Sequence, residues 1–145
     1  MNREIIFRAK HIHTITGNEH LNGTWVHGYL SDKNYIYYKS LEGEFLVDEN
    51  TICQYTGLND KNGKKIFEGD VVKDSAGVCG EVKFGLYAAG FSIPDTNQGF
   101  YIEFPEESLY RKELGYWENK VVVIGNIYDS PKLLEDKENK HGKDI

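Results

Sequence analysis

Thr51-Ile52-Cys53-Gln54-Tyr55-Thr56-Gly57-Leu58-Asn59-Asp60-Lys61-Asn62-Gly63-Lys64-Lys65-Ile66-Phe67-Glu68-Gly69-Asp70-Val71-Val72 is the stretch whose reading decides the fold. It reads as a string of turn instructions. Asn62-Gly63 stands where positive φ is cheap and predicts a tight reversal. Ile66-Phe67 supplies an apolar anchor, and Glu68-Gly69-Asp70 makes a second turn that launches Val71-Val72-Lys73. Ser75-Ala76-Gly77 then closes a hairpin into a strand at 78–84. Small, strongly bent barrels need glycine where strands coil sharply or backbones crowd. The expectation is a small SH3-like barrel or roll of short antiparallel strands. Gly57, Asn62, Gly63, Gly69 and Asp70 would set its turns, and Phe67, Val72, Val82 and Phe84 would fill it.

Outward from this segment, strand signals dominate. Ten Tyr, seven Phe and two Trp fall mostly in short β-forming runs separated by Gly, Asn and Asp. The expected strands are 5–10, 24–30, 35–38, 45–47, 70–73, 78–84, 99–104 and 120–125. Alternation places Val78, Val82 and Phe84 on one face, with Glu81 and Lys83 on the other. Phe100, Ile102 and Phe104 likewise share a face. Val121-Val122-Val123-Ile124 is apolar on both sides, as for a strand covered on both faces or a subunit contact. No run of 12 or more residues keeps a clean 3.6 period. Asp129-Ser130-Pro131 reads as the start of one short C-terminal helix.

The polar break at Asp48-Glu49-Asn50 marks a lobe boundary. It separates an N-terminal β segment or small lobe (1–47) from a barrel core (48–136), followed by a polar tail (137–145) that frays. All of the net charge of −6 comes from residues 48–130, which hold 8 Lys/Arg against 14 Asp/Glu. That balance argues against binding duplex DNA mainly through charge. No apolar run approaches a membrane span, and the first residues lack a signal-peptide pattern. Cys53 and Cys79 belong to no C-x-x-C pair and read as reduced, partly buried small apolar residues. A soluble, cytoplasmic protein is expected, with no membrane partner.

Several blocks carry a resemblance. Gln54-Tyr55-Thr56-Gly57-Leu58, Asp60-Lys61-Asn62-Gly63-Lys64, Ile66-Phe67-Glu68-Gly69-Asp70-Val71-Val72 and Val123-Ile124-Gly125-Asn126-Ile127-Tyr128 resemble the signature blocks of YopX-like proteins. Phe7-Arg8-Ala9-Lys10 and Gly23-Thr24-Trp25-Val26-His27-Gly28-Tyr29-Leu30 resemble the family's N-terminal pattern. The resemblance spans roughly residues 5–135. It implies a mostly β, SH3-type barrel or roll, an origin in phage or prophage DNA, and self-assembly. It implies no established reaction.

Chemistry-bearing residues are few. His11-x-His13 on a strand puts two imidazoles on one face and can ligate zinc, with His20 or Glu19 as a third donor. No second H-x-H or C-x-x-C completes such a set, so solvated or aromatic-packed histidines are the better reading. Glu68 and Asp70 flank Gly69. Paired carboxylates can serve acid–base chemistry, but this spacing suits a turn that they fix by accepting backbone N–H bonds. There is no P-loop, G-x-S-x-G, H-E-x-x-H or dinucleotide fingerprint. Residues 85–90 read as a loop, because no helix follows to make a phosphate cradle.

The expectation is therefore a non-enzymatic accessory protein without cofactor or metal, built to bind other copies of itself or a phage or host protein. Its interface candidates are Trp25, Tyr29, Tyr37, Tyr38, Val121 and Val123, since aromatic residues are favoured at interfaces. The alternative is single-stranded nucleic-acid binding, with Lys61, Lys64, Lys65 and Lys83 beside Tyr55 and Phe67 as stacking rings.

Overall fold

The computed structural model describes residues 4–13, 22–38, 42–88, 96–105 and 108–134. The chain divides into two units, Met1–Gly57 and Leu58–Ile145.

In the first unit, β1 (Phe7–Lys10), β2 (Trp25–Asp32), β3 (Tyr35–Tyr38), β4 (Gly43–Leu46) and the part of β5 (Cys53–Asn59) up to Gly57 lie in the order β4-β3-β2-β1-β5. The register pairs Ala9 with Val26 and Ile36 with Phe45. One face of the alternation thus collects Ala9, Val26, Ile36 and Val47 into a core with Phe7, Tyr38, Phe45 and Ile52 packed around it. The chain just after β1 meets the chain at the end of β4 in an isolated bridge, His11 opposite Val47. The Ile12 N–H donates to the Leu46 carbonyl (2.9 Å), and the Asp48 N–H donates to the Lys10 carbonyl (2.9 Å). The Asp48 carboxylate accepts the Asn50 N–H and starts a 3-10 turn, Glu49–Thr51, that leads into β5.

The second unit begins at Leu58, within β5, and holds β6 (Lys65–Phe67) and a four-stranded antiparallel sheet. That sheet comprises β7 (Asp70–Lys73), β8 (Cys79–Ala88), β9 (Thr96–Glu103) and β10 (Val122–Asn126), in the order β10-β7-β8-β9. One helical turn, α1 (Leu114–Trp117), lies between β9 and β10. Ile66, Val72, Val82, Ile102, Phe104, Leu114, Trp117 and Val121 form the core of the unit. Each fully buried aliphatic side chain there contributes about 1.5–3 kcal/mol. The Trp117 indole N–H donates to the Arg111 carbonyl (2.8 Å), so the ring is buried without leaving its donor unpaired.

Two hairpin turns of this unit are copies of one device. In residues 60–64 the Asp60 carboxylate accepts the N–H groups of Asn62 (2.8 Å) and Lys64 (2.9 Å). The Asp60 N–H donates to the Lys64 carbonyl, and the Gly63 N–H donates to the Asp60 carbonyl, with Gly63 at φ +81°. In residues 74–78 the Asp74 carboxylate accepts the N–H groups of Ala76 (3.0 Å) and Val78 (2.8 Å). The Asp74 N–H donates to the Val78 carbonyl, and Gly77 stands at φ +86° with its N–H on the Asp74 carbonyl. Each turn carries its own carboxylate as an internal cap. Only Gly63 takes positive φ in the first turn, so Asn62-Gly63 is not a two-residue reversal.

The fold is mostly β and antiparallel, as the sequence predicts. It differs from the expected closed roll. The described strands form open sheets, and irregular segments finish the edges. The Lys112 carbonyl accepts the Ile102 N–H beside β9, and the Lys61 N–H donates to the Val121 carbonyl beside β10. Strands β8 and β9 are longer than predicted. Residues 85–88, read as loop, continue β8, while 89 and 90 lie outside the described residues. Gly57, expected at a turn, sits within β5 at φ +85°. Phe84, expected inside the core, is 52% exposed, whereas Phe67, Val72 and Val82 are buried. Residues 132–134 are helical, in line with the predicted C-terminal helix, and the tail 137–145 lies outside the described residues.

Candidate functional site

The longest hairpin of the second unit exposes two large apolar side chains, and a third, Leu109, is exposed outside it. Along β8, Val82 is fully buried, Phe84 is 52% exposed and Leu86 is 71% exposed. All three point to the same side of the sheet. The core face therefore runs on past the core and into solvent. The cross-strand partner of Phe84 is Phe100, whose ring meets it edge-on at 4.9 Å, and the partner of Leu86 is Gln98. On the opposite face Tyr87 stacks on Tyr101 at 5.2 Å, and Lys83 pairs with Glu103. The bond to Glu103 raises the Lys83 pKa, helped by the nearby Glu81 charge. Burial raises the pKa of Glu81. The polar face of the arm is thus internally paired, and the apolar face is the one left uncovered among the described residues.

The first unit presents an aromatic face. Tyr29 and Tyr37 are direct cross-strand partners and both are exposed. Trp25 is half-buried on the same side, with the Arg8 guanidinium 4.8 Å and the Lys10 ammonium 5.5 Å from its ring centroid. Burial, and then the Arg8 charge, lowers the pKa of the neighbouring His27. Tyr38 faces the other way and packs on the core. Beside Tyr29 an open depression of about 620 Å³ is lined by Glu4, Ile5, Ile6, Phe7 and Leu30. Its lining side chains are apolar apart from the Glu4 carboxylate and the Tyr29 hydroxyl.

The other sequence candidates fall elsewhere. Val121 is fully buried and Val123 is partly buried against the same core, so the strand that looked two-sided is mainly structural. Its apolar run reflects packing inside the unit, with Ile124 as its exposed member. Of the nucleic-acid candidates, Lys61, Lys64 and Lys65 are exposed, but Tyr55 and Phe67 are 7% and 4% exposed and offer no ring face for stacking. The hairpin turn holds the cations out while the flanking apolar residues turn in.

The acidic residues build turns. Asp70 is buried and accepts the Phe67 N–H (2.8 Å), while Glu68 takes no part in that bond. Asp60 is also buried, and its second oxygen accepts the Val123 N–H (3.0 Å). His11 and His13 pack ring against ring at 5.2 Å, with the His11 ring edge-on to Phe45 at 5.3 Å and its Nδ1 bonded to the Leu46 carbonyl. His20 and Glu19 lie outside the described residues. Among the described residues no three His, Cys, Asp or Glu side chains gather as a metal site. Cys53 and Cys79 are free and buried. No described helix is long and apolar enough to cross a membrane.

Sequence reasoning missed Leu86, Phe100 and Gln98 as surface elements. The signal available was the alternation of Val82, Phe84 and Leu86, which continues two residues beyond the expected strand end.

These features define a two-unit antiparallel β protein in which each unit exposes a patch of apolar or aromatic sheet surface. The family model described as YopX protein matches residues 7–135, and the chain belongs to the YopX family. No curated protein matches it.

Proposed function

We propose that the chain is a non-enzymatic phage or prophage accessory protein, working in the bacterial cytoplasm as a self-assembly or protein-interaction module. One observation carries this reading: the sheet face of the second unit extends beyond its core and leaves Phe84 and Leu86 in solvent. Exposed apolar side chains that line up with a core face mark a surface that another protein covers. Light scattering across a range of concentrations, combined with capture of partners from induced host cells, tests the reading. Assembly or a defined partner is expected; a monomer that captures nothing overturns it.

Single-stranded nucleic-acid binding is the second reading, and the face around Trp25 favours it. Arg8 and Lys10 flank an aromatic ring there, with the exposed Tyr29 and Tyr37 on the same side. Cations interleaved with rings are what a stacking platform for bases needs. Its test is oligonucleotide retardation that weakens as salt is raised.

A further inference from the structure

Strand β9 is an edge. Among the described residues its only strand partner is β8, and the register runs without a break from Glu81↔Glu103 to Ala88↔Thr96. The inner end of its free side is covered, because the Ile102 N–H donates to the Lys112 carbonyl and Tyr101 bridges to Glu113. In an antiparallel ladder successive residues turn their backbone groups to alternate sides. Since Ile102 points its N–H away from β8, Phe100, Gln98 and Thr96 do the same. Among the described residues nothing pairs with these three outward backbone positions.

Natural edges are blunted by charge, proline or bulges. This one has none of them: Thr96-Asn97-Gln98-Gly99-Phe100-Tyr101-Ile102 contains no charged residue and no Pro. On the neighbouring strand the stretch Phe84-Gly85-Leu86-Tyr87-Ala88 is also uncharged. In a chain of net charge −6, most two-fold contacts between identical surfaces oppose like charges. The outer arm is a stretch that can meet itself without that penalty.

We infer that the free side of β9, from Thr96 to Phe100, pairs antiparallel with the same strand of a second copy about a two-fold axis at Gln98. Thr96 of each copy then lies opposite Phe100 of the other, and on the order of six backbone hydrogen bonds form. The two four-stranded sheets become one, and the Phe84–Phe100 and Leu86 side chains of both copies line a single apolar face. This assignment rests on the self-assembly reading above and names the surface and the partner for it.

The test uses the full-length chain. Two residues facing each other in a hydrogen-bonded antiparallel pair have Cα atoms about 5.5 Å apart, within disulfide reach. Gln98→Cys is expected to crosslink to itself under mild oxidation, and Thr96→Cys is not, because its counterpart is Phe100. Gln98→Lys, which sets a cation against its own copy on a solvent-exposed edge, is expected to weaken dimerisation about tenfold or more in sedimentation velocity. An oligomeric wild type with no Gln98→Cys crosslink and an unmoved Gln98→Lys variant overturns the β9 contact while leaving self-assembly in place. A monomeric wild type whose Gln98→Lys variant loses a captured foreign protein overturns the second copy as the occupant and leaves an interaction module. A monomer that captures nothing overturns both.

Discussion

The Asp60 carboxylate accepts the backbone N–H of Val123, 63 positions away in the chain, at 3.0 Å. The other oxygen of the same group holds the turn at Asn62 and Lys64. One buried side chain, 1% exposed, thereby fixes a hairpin and docks β10 beside it. Asp60→Ala strands three N–H donors, and its expected cost is about 3 kcal/mol or more. Urea denaturation of the variant against the wild type measures it.

The same carboxylate makes stability depend on acid. Burial alone would raise its pKa, but the bonds from Val123, Lys64 and Asn62 and the Lys64 charge outweigh burial and hold it below the ordinary value. The unfolded chain, with an aspartate pKa of about 3.9, therefore takes up this proton at a higher pH than the folded one. The stabilisation is fully present above that pH and is lost as pH falls through the folded pKa. Asp60→Asn is expected to lower stability at pH 7 and to flatten the decline below about pH 4. Melting temperatures across pH 2–7 for both proteins check it, and an unchanged acid limb contradicts it.

Glycines separate by surroundings. A Cβ at Gly77 meets nothing within 4 Å, so Gly77→Ala costs only the positive-φ backbone strain, about 1 kcal/mol. A Cβ at Gly28 would fall on the Tyr37 carbonyl of the adjacent strand, which cannot move without breaking the sheet. Gly28→Ala is expected to cost at least about 3 kcal/mol, reversing the ranking that turn propensity alone gives. Denaturation midpoints of the two variants decide it.

Along the β8–β9 arm, burial separates structural side chains from surface ones. Ile102→Ala opens a cavity beneath a fully buried position and is expected to cost about 3 kcal/mol. Leu86→Ala removes a side chain that is 71% exposed, and its cost to folding is expected to stay below about 0.5 kcal/mol. Unfolding curves at a protein concentration too low for association compare them. A large loss at Leu86 would mean that this chain already covers it.

For the nucleic-acid reading, Trp25→Ala is expected to abolish oligonucleotide retardation. Replacing Lys61, Lys64 and Lys65 together by Gln is expected to leave most of it, since no exposed ring accompanies that turn. Electrophoretic mobility at low salt, with circular dichroism to show that the Trp25 variant is folded, is the measurement. The opposite ranking would return the site to the hairpin turn.

Much of the fold is legible in the sequence because it is written in local terms. Alternation gives β3 and β7 with their bounds intact, and the Asp-x-x-Gly pattern contains everything the two turns need. What is not legible depends on distant partners. Strand β5 hides among turn residues, because Tyr55 and Thr56 are buried by neighbours that no local pattern names. Val121 looks two-sided for the same reason, since only the folded unit shows that one core takes it. The single turn of α1 is too short for a period, although Leu114 and Trp117 three residues apart mark its inward side. The surface is the hardest part: Val82 and Phe84 are equivalent in pattern and opposite in environment, and only the end of the core tells them apart.

The reach from Asp60 to Val123 also orders events during synthesis. A nascent chain that has left the ribosome only through β9 has both of its capped hairpins, because each turn carries every group it needs. It lacks the strand that covers the flank of β7, and the Asp60 carboxylate has nothing yet to hold on that side. Until β10 emerges, β7 is a second open edge beside an incomplete core. A protein cut short before Val123 therefore offers proteases and bystander strands what the finished chain conceals.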